Sequence, residues 1–441
     1  MPKKKTALTI EERLQQALVP AEEQHYEVPE NWVWVRLGAV CNASKEKSND
    51  FSNDIKYIGL EHLEKDQGIV GFSSADKVKS TKNAFKKGQI LYGRLRPYLN
   101  KHDICSFDGV CSTDILVFEA SNLVSNILVD KFLNLPFFID YVVSNSKGIN
   151  LPRVSEETVL NTTFPLPPLS EQQRIVERIE ELFAKLDEAK ERLQEVADSF
   201  AVRKAAILHK AFTGELIGKQ VTELVPLENL VDLIKIGPFG SSLHESDYIE
   251  NGIPLVNPKH IVQQRIVPQS KISISDEKAE ELSSYKLKEN DIVLGRRGEM
   301  GRCAPISNRE ENWICGTGSM IIRLKKEYDA KLYSLILGSQ ATVTYLENSA
   351  VGSTLKNLNE KIVRKIPVPQ FSNEEQHEIV RLIDDLLARE RAAQQAAEQA
   401  LASIDLMKKS ILARAFRGEL GTNKASEASA LELLRQVLAE N

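Results

Sequence analysis

The sequence repeats itself at long range, and this repeat constrains the fold more than any other feature. Residues 211–216 read AFTGEL and residues 415–420 read AFRGEL, an offset of 204. Ile175-Val176 and Ile379-Val380 share that offset, so the stretches between these landmarks align without a gap. A chain that repeats in this way is predicted to fold as two copies of one structural unit.

Weaker sequence matches precede each of these stretches and indicate the order of the domains and helices along the chain. Residues 90–94 (ILYGR) match residues 292–296 (IVLGR), and His62 matches His260. The predicted order is domain, helix, domain, helix, which suits a chain of 441 residues. The predicted boundaries are an N-terminal arm (1–30), a first domain (31–165), a first helical region (166–219), a second domain (220–366), a second helical region (367–421) and a C-terminal tail (422–441).

Each helical region follows a Pro-x-Pro stretch, with Ser170 as the candidate N-cap of the first and Ser372 or Asn373 as that of the second. Apolar residues then recur at steps of four and three, which predicts a seam for pairing with another helix. Glu390 interrupts the second seam, where it either weakens the packing or pairs across it. Gly214 and Gly418 mark the expected left-handed helix ends. The predicted helix-pairing residues are Ile175, Ile179, Leu182, Leu186, Leu193 and Val196 in the first region, and Ile379, Ile383, Leu386 and Ile404 in the second.

The two domains are predicted to be mixed α/β. Short apolar runs at 115–118, 292–294 and 320–324 are typical of strands, and Gly, Asn and Pro separate them. A hydrophobic content of 42% is sufficient for buried cores. The sequence contains no run of 18 apolar residues, so no membrane span is predicted. Five scattered cysteines and the lack of an apolar signal core after the basic N-terminus suit a cytoplasmic protein.

Motifs that would indicate catalysis are missing from the sequence. It contains no GxxxxGK[ST] loop, no HExxH and no Gly-x-Ser-x-Gly elbow, and its His and Cys residues do not cluster as metal ligands. The Asn/Asp-Pro-Pro-aromatic element of amino-methyltransferases is replaced at 257–260 by NPKH. The sequence therefore predicts no catalytic residue, no metal and no cofactor in this chain.

The chemistry that remains suits contact with DNA. Net charge is −5, yet residues 82–102 carry six Lys or Arg and no acid. A basic, turn-rich segment at 93–101 recurs at 295–302, where Arg suits both guanine and phosphate. Alternatively, these two segments are solvated loops that do not contact DNA. In the small-residue loop 237–242, the alternative is a tight turn in which Phe239 packs into the core. The candidate DNA-binding residues are Arg94, Arg96, Tyr98, Lys101, Lys259, Gly240, Ser241, Ser242, Arg296, Arg297 and Arg302.

These features together resemble a type I restriction–modification specificity subunit. The resemblance is carried by PENWVWVRLG (29–38), PLPPLSEQQ (165–173), AFTGEL (211–216), IPLVN (253–257) and their order along nearly the whole chain. It implies two target-recognition domains, each reading one half of a bipartite target in double-stranded DNA. It also implies an α+β fold with pseudo-two-fold internal symmetry, whose two long helices pair as an antiparallel coiled coil and set the spacing.

The same resemblance implies which partners the chain binds. Two methyltransferase subunits would dock on the helices and restriction–translocase subunits would join them, with S-adenosylmethionine, ATP and Mg²⁺ bound by those partners. Two other interpretations stay open at this point. One is a non-catalytic coiled-coil adaptor that does not bind DNA, and the other is a degenerate fused restriction–methylation polypeptide.

Overall fold

The structure, a computed structural model, describes residues 9–49, 52, 54–77, 80–239, 242–349 and 357–440. Contacts divide the chain into two compact units, Met1–Leu193 with Gln399–Asn441, and Gln194–Glu398. We refer to them as the first unit and the second unit. Among the described residues, no helix has both the length and the apolar character required to cross a membrane.

The α-helices of the described residues, in chain order, are α1 (Ile10–Ala17), α2 (Asn126–Phe132), α3 (Pro136–Ser144), α4 (Glu156–Leu160), α5 (Leu169–Phe212), α6 (Asp276–Glu281), α7 (Ala330–Leu337), α8 (Gln340–Ser349), α9 (Glu360–Arg364), α10 (Asn373–Ala415) and α11 (Ala430–Glu440). The strands are β1 (Val33–Arg36), β2 (Cys41–Ala43), β3 (Lys47–Ser48), β4 (Lys56–Ile58), β5 (Leu63–Glu64), β6 (Gly68–Ile69), β7 (Ser73–Ser74), β8 (Lys82–Phe85), β9 (Ile90–Gly93), β10 (His102–Ile104), β11 (Gly109–Cys111), β12 (Ile115–Ala120), β13 (Thr163–Leu166), β14 (Val225–Pro226), β15 (Val231–Ile236), β16 (Ile253–Val256), β17 (Ile261–Val262), β18 (Arg265–Ile266), β19 (Ser273–Ile274), β20 (Asp291–Gly295), β21 (Cys303–Pro305), β22 (Ile314–Cys315), β23 (Ser319–Leu324) and β24 (Pro367–Val368).

The first unit contains two main sheets. Strands β10, β9, β12 and β2 form an antiparallel sheet, and β3, β8, β11, β4 and β7 form a mixed one with a parallel β11–β4 pair. The four residues of β9 are all buried, as are most of β12, because these strands lie inside their sheet. Strands β1 and β13 pair separately, and the short β5–β6 hairpin follows a 3₁₀ turn at Leu60–His62.

The second unit reproduces this topology. Strands β15, β23, β20 and β21 correspond to β2, β12, β9 and β10, and the parallel β16–β22 pair corresponds to β4–β11. The β17–β18 hairpin also follows a 3₁₀ turn, at Pro258–His260. Helices α2, α3 and α4 correspond to α7, α8 and α9, whose first residues lie 204 positions later. The repeat predicted from the sequence is therefore present in three dimensions.

The ends of the chain fold together in the first unit. Helix α1 lies in the predicted arm and α11 in the predicted tail, and Leu14, Leu434 and Val437 share one hydrophobic core with the sheet. Arg13 also donates a hydrogen bond to the carbonyl of Leu438 at 3.2 Å. Both segments thus contribute to the core of this unit.

The long helices run antiparallel within each unit. In the first unit, Asp187 and Lys190 on α5 form ion pairs with Lys408 (2.5 Å) and Asp405 (3.8 Å) on α10, so partner numbers fall as residue numbers rise. In the second unit, Arg203 on α5 pairs with Glu390 on α10 at 2.9 Å, and Lys219 after α5 pairs with Glu375 near the start of α10 at 2.7 Å, so the order is again reversed. Glu390 therefore pairs across the seam, which decides between the two alternatives left open by the sequence.

Most of the predicted seam is buried or half-buried, with Ile175, Ile179, Ile379, Ile383 and Ile404 at most 3% exposed. Leu182, Leu186, Leu193 and Leu386 are half-buried. Val196 differs from the prediction, because its side chain is 45% exposed. It stands three heptads after Ile175, and a helix of 3.6 residues per turn drifts out of a strict seven-residue seam.

The helix ends agree with the sequence except at one cap. Gly214 and Gly418 have φ values of 80° and 74°, which are the predicted left-handed stops. Ser372 accepts from the amide of Glu375, and the Glu375 carboxylate accepts from the amide of Ser372, which completes a capping box. Ser170 does not cap α5, since that helix already begins at Leu169.

Candidate DNA interface

The two basic segments occupy the same place in the two units. Arg94 follows β9 and Arg296 follows β20, and their amides donate to the carbonyls of Asp114 and Gly318, both at 2.9 Å. The structure therefore pairs Arg94 with Arg296, as the sequence match predicted. Each arginine is held by the loop that precedes a short helix, α4 or α9.

The side chains of these two arginines point into their units. Arg94 is half-buried and its Nε donates to the carbonyl of Val154 at 3.2 Å. Arg296 is only 7% exposed and its Nε donates to Oδ1 of Asn357 at 3.1 Å. Burial, together with the neighbouring charge of Arg297, lowers the pKa of Arg296 from its ordinary value. Both side chains brace a loop, and their predicted contact with DNA stays a prediction.

Arg96, Tyr98 and Arg297 are the predicted DNA contacts of the basic segments that are exposed. Arg96 adopts a left-handed backbone with a φ of 54°, held by a hydrogen bond from its amide to the carbonyl of Pro152 at 2.7 Å. Tyr98 is 49% exposed on the 3₁₀ turn that follows. These three side chains form no hydrogen bond with a described residue, so they are available to a phosphate or base.

Lys101 and Arg302 are a second structurally matched pair. The carbonyls of Lys101 and Arg302 accept from the amides of Gly93 and Gly295, both at 2.8 Å. Lys101 Nζ donates to the carbonyl of Leu60 at 3.1 Å, and Arg302 Nη1 to that of Pro258 at 3.3 Å. Each cation thus ties its basic segment to the 3₁₀ turn before a hairpin. Arg302 also forms an ion pair with Glu299.

The matched histidines stabilise those 3₁₀ turns. Nδ1 of His62 accepts from the amide of Gly59 at 2.9 Å, and Nδ1 of His260 lies 3.2 Å from the amide of Asn257. Burial lowers the pKa of His260, which is only 1% exposed. Packing and hydrogen bonding therefore account for both histidines. Lys259, next to His260, is exposed.

The small-residue loop at 237–242 is only partly described. Gly240 and Ser241, two predicted DNA contacts, lie outside the described residues, and Ser242 is exposed. A Cβ on Gly237 would lie 2.0 Å from the carbonyl oxygen of Gly316, so only glycine fits there. Phe239 is 60% exposed, which contradicts the alternative that it plugs the core.

Two matched glutamines, which recur as Glu-Gln at 171–172 and 375–376, couple each domain to a long helix. Sequence reasoning did not single out either residue. Gln172 is buried near the start of α5, where Oε1 accepts from the amide of Ser125 at 2.9 Å and Nε2 donates to the carbonyl of Pro167 at 3.3 Å. Gln376 makes the same contacts from α10 with Asp329 (2.8 Å) and Phe371 (3.1 Å). Each glutamine therefore connects the cap of α2 or α7 to its long helix.

Glu171 shows where the two copies depart from each other. It is fully buried, and its carboxylate accepts from Trp32 Nε1 (2.7 Å), Thr422 Oγ1 (2.9 Å) and Asn423 Nδ2 (2.8 Å). The motif PENW and the chain after α10 thus meet at this carboxylate. The matching Glu375 instead pairs with Lys219 at 2.7 Å, which lowers the pKa of Glu375.

A buried ion pair also distinguishes the first unit. His102 Nδ1 lies 2.7 Å from Asp130 Oδ1, and both side chains are less than 10% exposed. Burial opposes ionisation of Asp130, but the charge and hydrogen bond of His102 outweigh it and hold the pKa of Asp130 below its ordinary value. The matching residues are Cys303 and Ser334, where the thiol donates to the carbonyl of Ser334 at 3.1 Å. Among the described residues, no group of three or more His, Cys, Asp or Glu is placed to hold a metal ion.

Fold and surface together define a duplicated α/β protein, each copy of which presents a matched, partly basic loop and is locked to a long helix. The family model of the type I restriction modification DNA specificity domain matches residues 29–198 and 228–400. The chain therefore belongs to the type I restriction modification DNA specificity family, and it carries the domain twice.

Relatives match over most of the chain. The EcoBI specificity subunit of Escherichia coli is 27% identical, with 94% of this chain and 93% of that protein aligned. The HsdS subunit of Thermoanaerobacter tengcongensis has a similar fold, with a TM-score of 0.67, 21% identity and coverage of 90% of this chain and 99% of that one. A chain from structural work on complex assembly and conformational transition of the type I R-M system gives a TM-score of 0.66 at 22% identity, covering 89% and 100%.

Proposed function

We propose that this chain is the sequence-specific DNA-binding subunit of a type I restriction–modification complex. Each unit reads one half of a bipartite target, and the long helices set the length of the unread gap. The observation that carries this proposal is the repeat itself. Two units share one framework, including the Arg94/Arg296 and Lys101/Arg302 positions, while their exposed residues differ. That is the arrangement expected of two readers with unrelated half-sites.

The long helices suit the role of spacer. Helix α5 has 44 residues, which corresponds to about 66 Å. Half-sites read on one face of B-DNA are separated by about one turn, roughly 34 Å, or a multiple of it. Gln172 and Gln376 couple each domain to its helix, as the role of spacer requires.

The chain is proposed to contribute recognition while its partners contribute chemistry. These partners are two methyltransferase subunits and restriction–translocase subunits, which bring S-adenosylmethionine, ATP and Mg²⁺. The proposal is supported by family membership and by the solved relative from work on complex assembly. Membership in a DNA specificity family disfavours both an adaptor that does not bind DNA and a degenerate fused restriction–methylation polypeptide.

A domain exchange tests the division of labour. Methylated bases are mapped across the genome of a host that carries the native system, and again after residues 220–366 are replaced by the matching domain of a relative. The expected result is a new sequence in one half of the target, with the other half and the gap unchanged. A change in both halves, or a native target without a gap, would contradict the proposal.

A further inference from the structure

The β17–β18 hairpin of the second unit is anchored in the core by one face and exposed on the other. Ile261 and Ile266 pair across it and are buried in a hydrophobic cluster, at 2% and 6% exposed. Val262 and Arg265 pair on the opposite face and are exposed. The amide of Val267 donates to the carbonyl of His260 at 2.8 Å, which fixes the base of the hairpin. Its two-residue tip therefore stands on a well-anchored support.

The tip has an unfavourable composition for its shape. Gln263 and Gln264 both have positive φ values, 48° and 59°. A two-residue hairpin with this backbone strongly prefers Asn-Gly or a similar pair, because longer L side chains disfavour the left-handed region. Residues that keep such a conformation are candidates for a functional role, because Asn or Gly would form the same turn with less backbone strain.

The two side chains of the tip have different surroundings. The amide of Gln264 lies against Gly338, where a Cβ would stand 2.7 Å from its Nε2, and this side chain is half-buried. Gln263 is exposed and forms no hydrogen bond with another described residue. It is thus the member of the pair that is free to contact a ligand.

Cations stand on the same part of the unit. Lys259 precedes the hairpin and Arg265 lies in β18 next to its tip, and both are exposed. Arg302 ties the basic segment to the turn at the base of the hairpin. The nearby acid Glu299 is paired with Arg302. The major groove of B-DNA admits a two-stranded β-ribbon, and a glutamine amide matches the N6 and N7 atoms of adenine.

The first unit carries the same hairpin with a different tip. The amide of Val70 donates to the carbonyl of His62 at 2.9 Å, so the base is held in the same way. The tip between β5 and β6 has three residues, Lys65, Asp66 and Gln67, all exposed. A shared base with a tip of different length and chemistry is the pattern expected of readers of different sequences.

We infer that Gln263 is a specificity-determining residue, which reads an adenine through the major groove in the half-site of the second unit. Lys259 and Arg265 bind the flanking phosphates. This inference rests on the proposed function, since it requires the second unit to read one half-site. It names a base-reading residue outside the basic segments.

A pair of hairpin variants tests the inference. The full chain, co-purified with the methyltransferase subunits of its host, is mixed with a pool of randomised double-stranded DNA, and the bound fraction is sequenced. Gln264→Gly alone is the matched control, because it relieves the backbone and keeps Gln263. Gln263→Gly/Gln264→Gly differs from the control only at position 263, and Gly-Gly suits the same turn.

The unaltered protein and the control are expected to enrich one bipartite sequence. The double variant is expected to lose about tenfold of the preference for adenine at one position of one half-site, and to keep the other half. Identical enrichment by control and double variant would overturn the inference while the proposed function stands. If the unaltered protein enriched no bipartite sequence, the proposed function would fail and the inference with it.

Discussion

The first and second units share a framework but differ inside it and at its surface. In the first, His102 and Asp130 form a buried ion pair beneath the basic segment, whereas the second has Cys303 and Ser334 at those places. The glutamine that joins each domain to its helix is the same in both. The difference shows that the shared fold accepts either an ionic or a neutral contact at this position. In both units, the contact holds the strand after the basic segment (β10 or β21) against a helix (α2 or α7).

Replacement of the ionic anchor should have the largest effect on stability. Asp130→Ala leaves His102 buried without its partner, and such a loss typically costs about 3–5 kcal/mol. We expect faster hydrogen exchange in α2 and β10 and a lower free energy of unfolding for the first unit. Cys303→Ala in the second unit is the matched control, because it removes the thiol that donates to the carbonyl of Ser334, and its expected cost is about 1 kcal/mol. Equal losses in the two variants would show that the anchors are equivalent.

Removal of either glutamine should have an intermediate and similar effect. Gln172→Ala and Gln376→Ala each leave backbone groups in the interior without their partners, which costs about 1–3 kcal/mol. Protection of the first turn of α5 or α10 against hydrogen exchange should fall in the unit that carries the change and stay constant in the other. A large loss of protection in only one of the two variants would contradict the comparison, because the shared fold predicts similar losses in both.

The ionic anchor also predicts a difference in acid sensitivity. The folded pKa of Asp130 is lowered, so its stabilising contribution is complete above the unfolded pKa of about 3.9 and is lost as the pH falls through the folded pKa. The difference in unfolding free energy between the unaltered protein and Asp130→Asn should therefore shrink as the pH drops below about 4. A difference that stays constant over this range would show that the pKa of Asp130 is the same in the folded and unfolded states.

The seam ion pairs should have the smallest effect. Arg203–Glu390 in the second unit and Lys408–Asp187 in the first are partly exposed, and such pairs contribute about 0–1 kcal/mol. Double-mutant cycles to alanine should give small coupling energies in both units. A coupling well above 1 kcal/mol for Arg203–Glu390 alone would show that Glu390 specifies the helix pairing.

Much of the framework could be predicted from the sequence, because it depends on local patterns. The repeat, the two long helices, the left-handed ends at Gly214 and Gly418 and the match of Arg94 with Arg296 all follow from residue spacing. Periodicity and turn chemistry act over a few residues, so one sequence is sufficient to recognise them. The exposure of Val196 shows the limit of a strict heptad in a helix of 3.6 residues per turn.

The direction of the polar side chains was decided by the tertiary structure alone. The contact of Lys101 and Arg302 with DNA stays a prediction, but only the structure shows that their cations reach carbonyls of turns about 40 residues away in the chain. Gln263 carries no turn signal in the sequence, and only the pairing of β17 with β18 brings it to an exposed tip. Which polar groups face inward depends on contacts between distant segments. The sequence pattern around a charged residue is the same whether its side chain stabilises a loop or contacts a ligand.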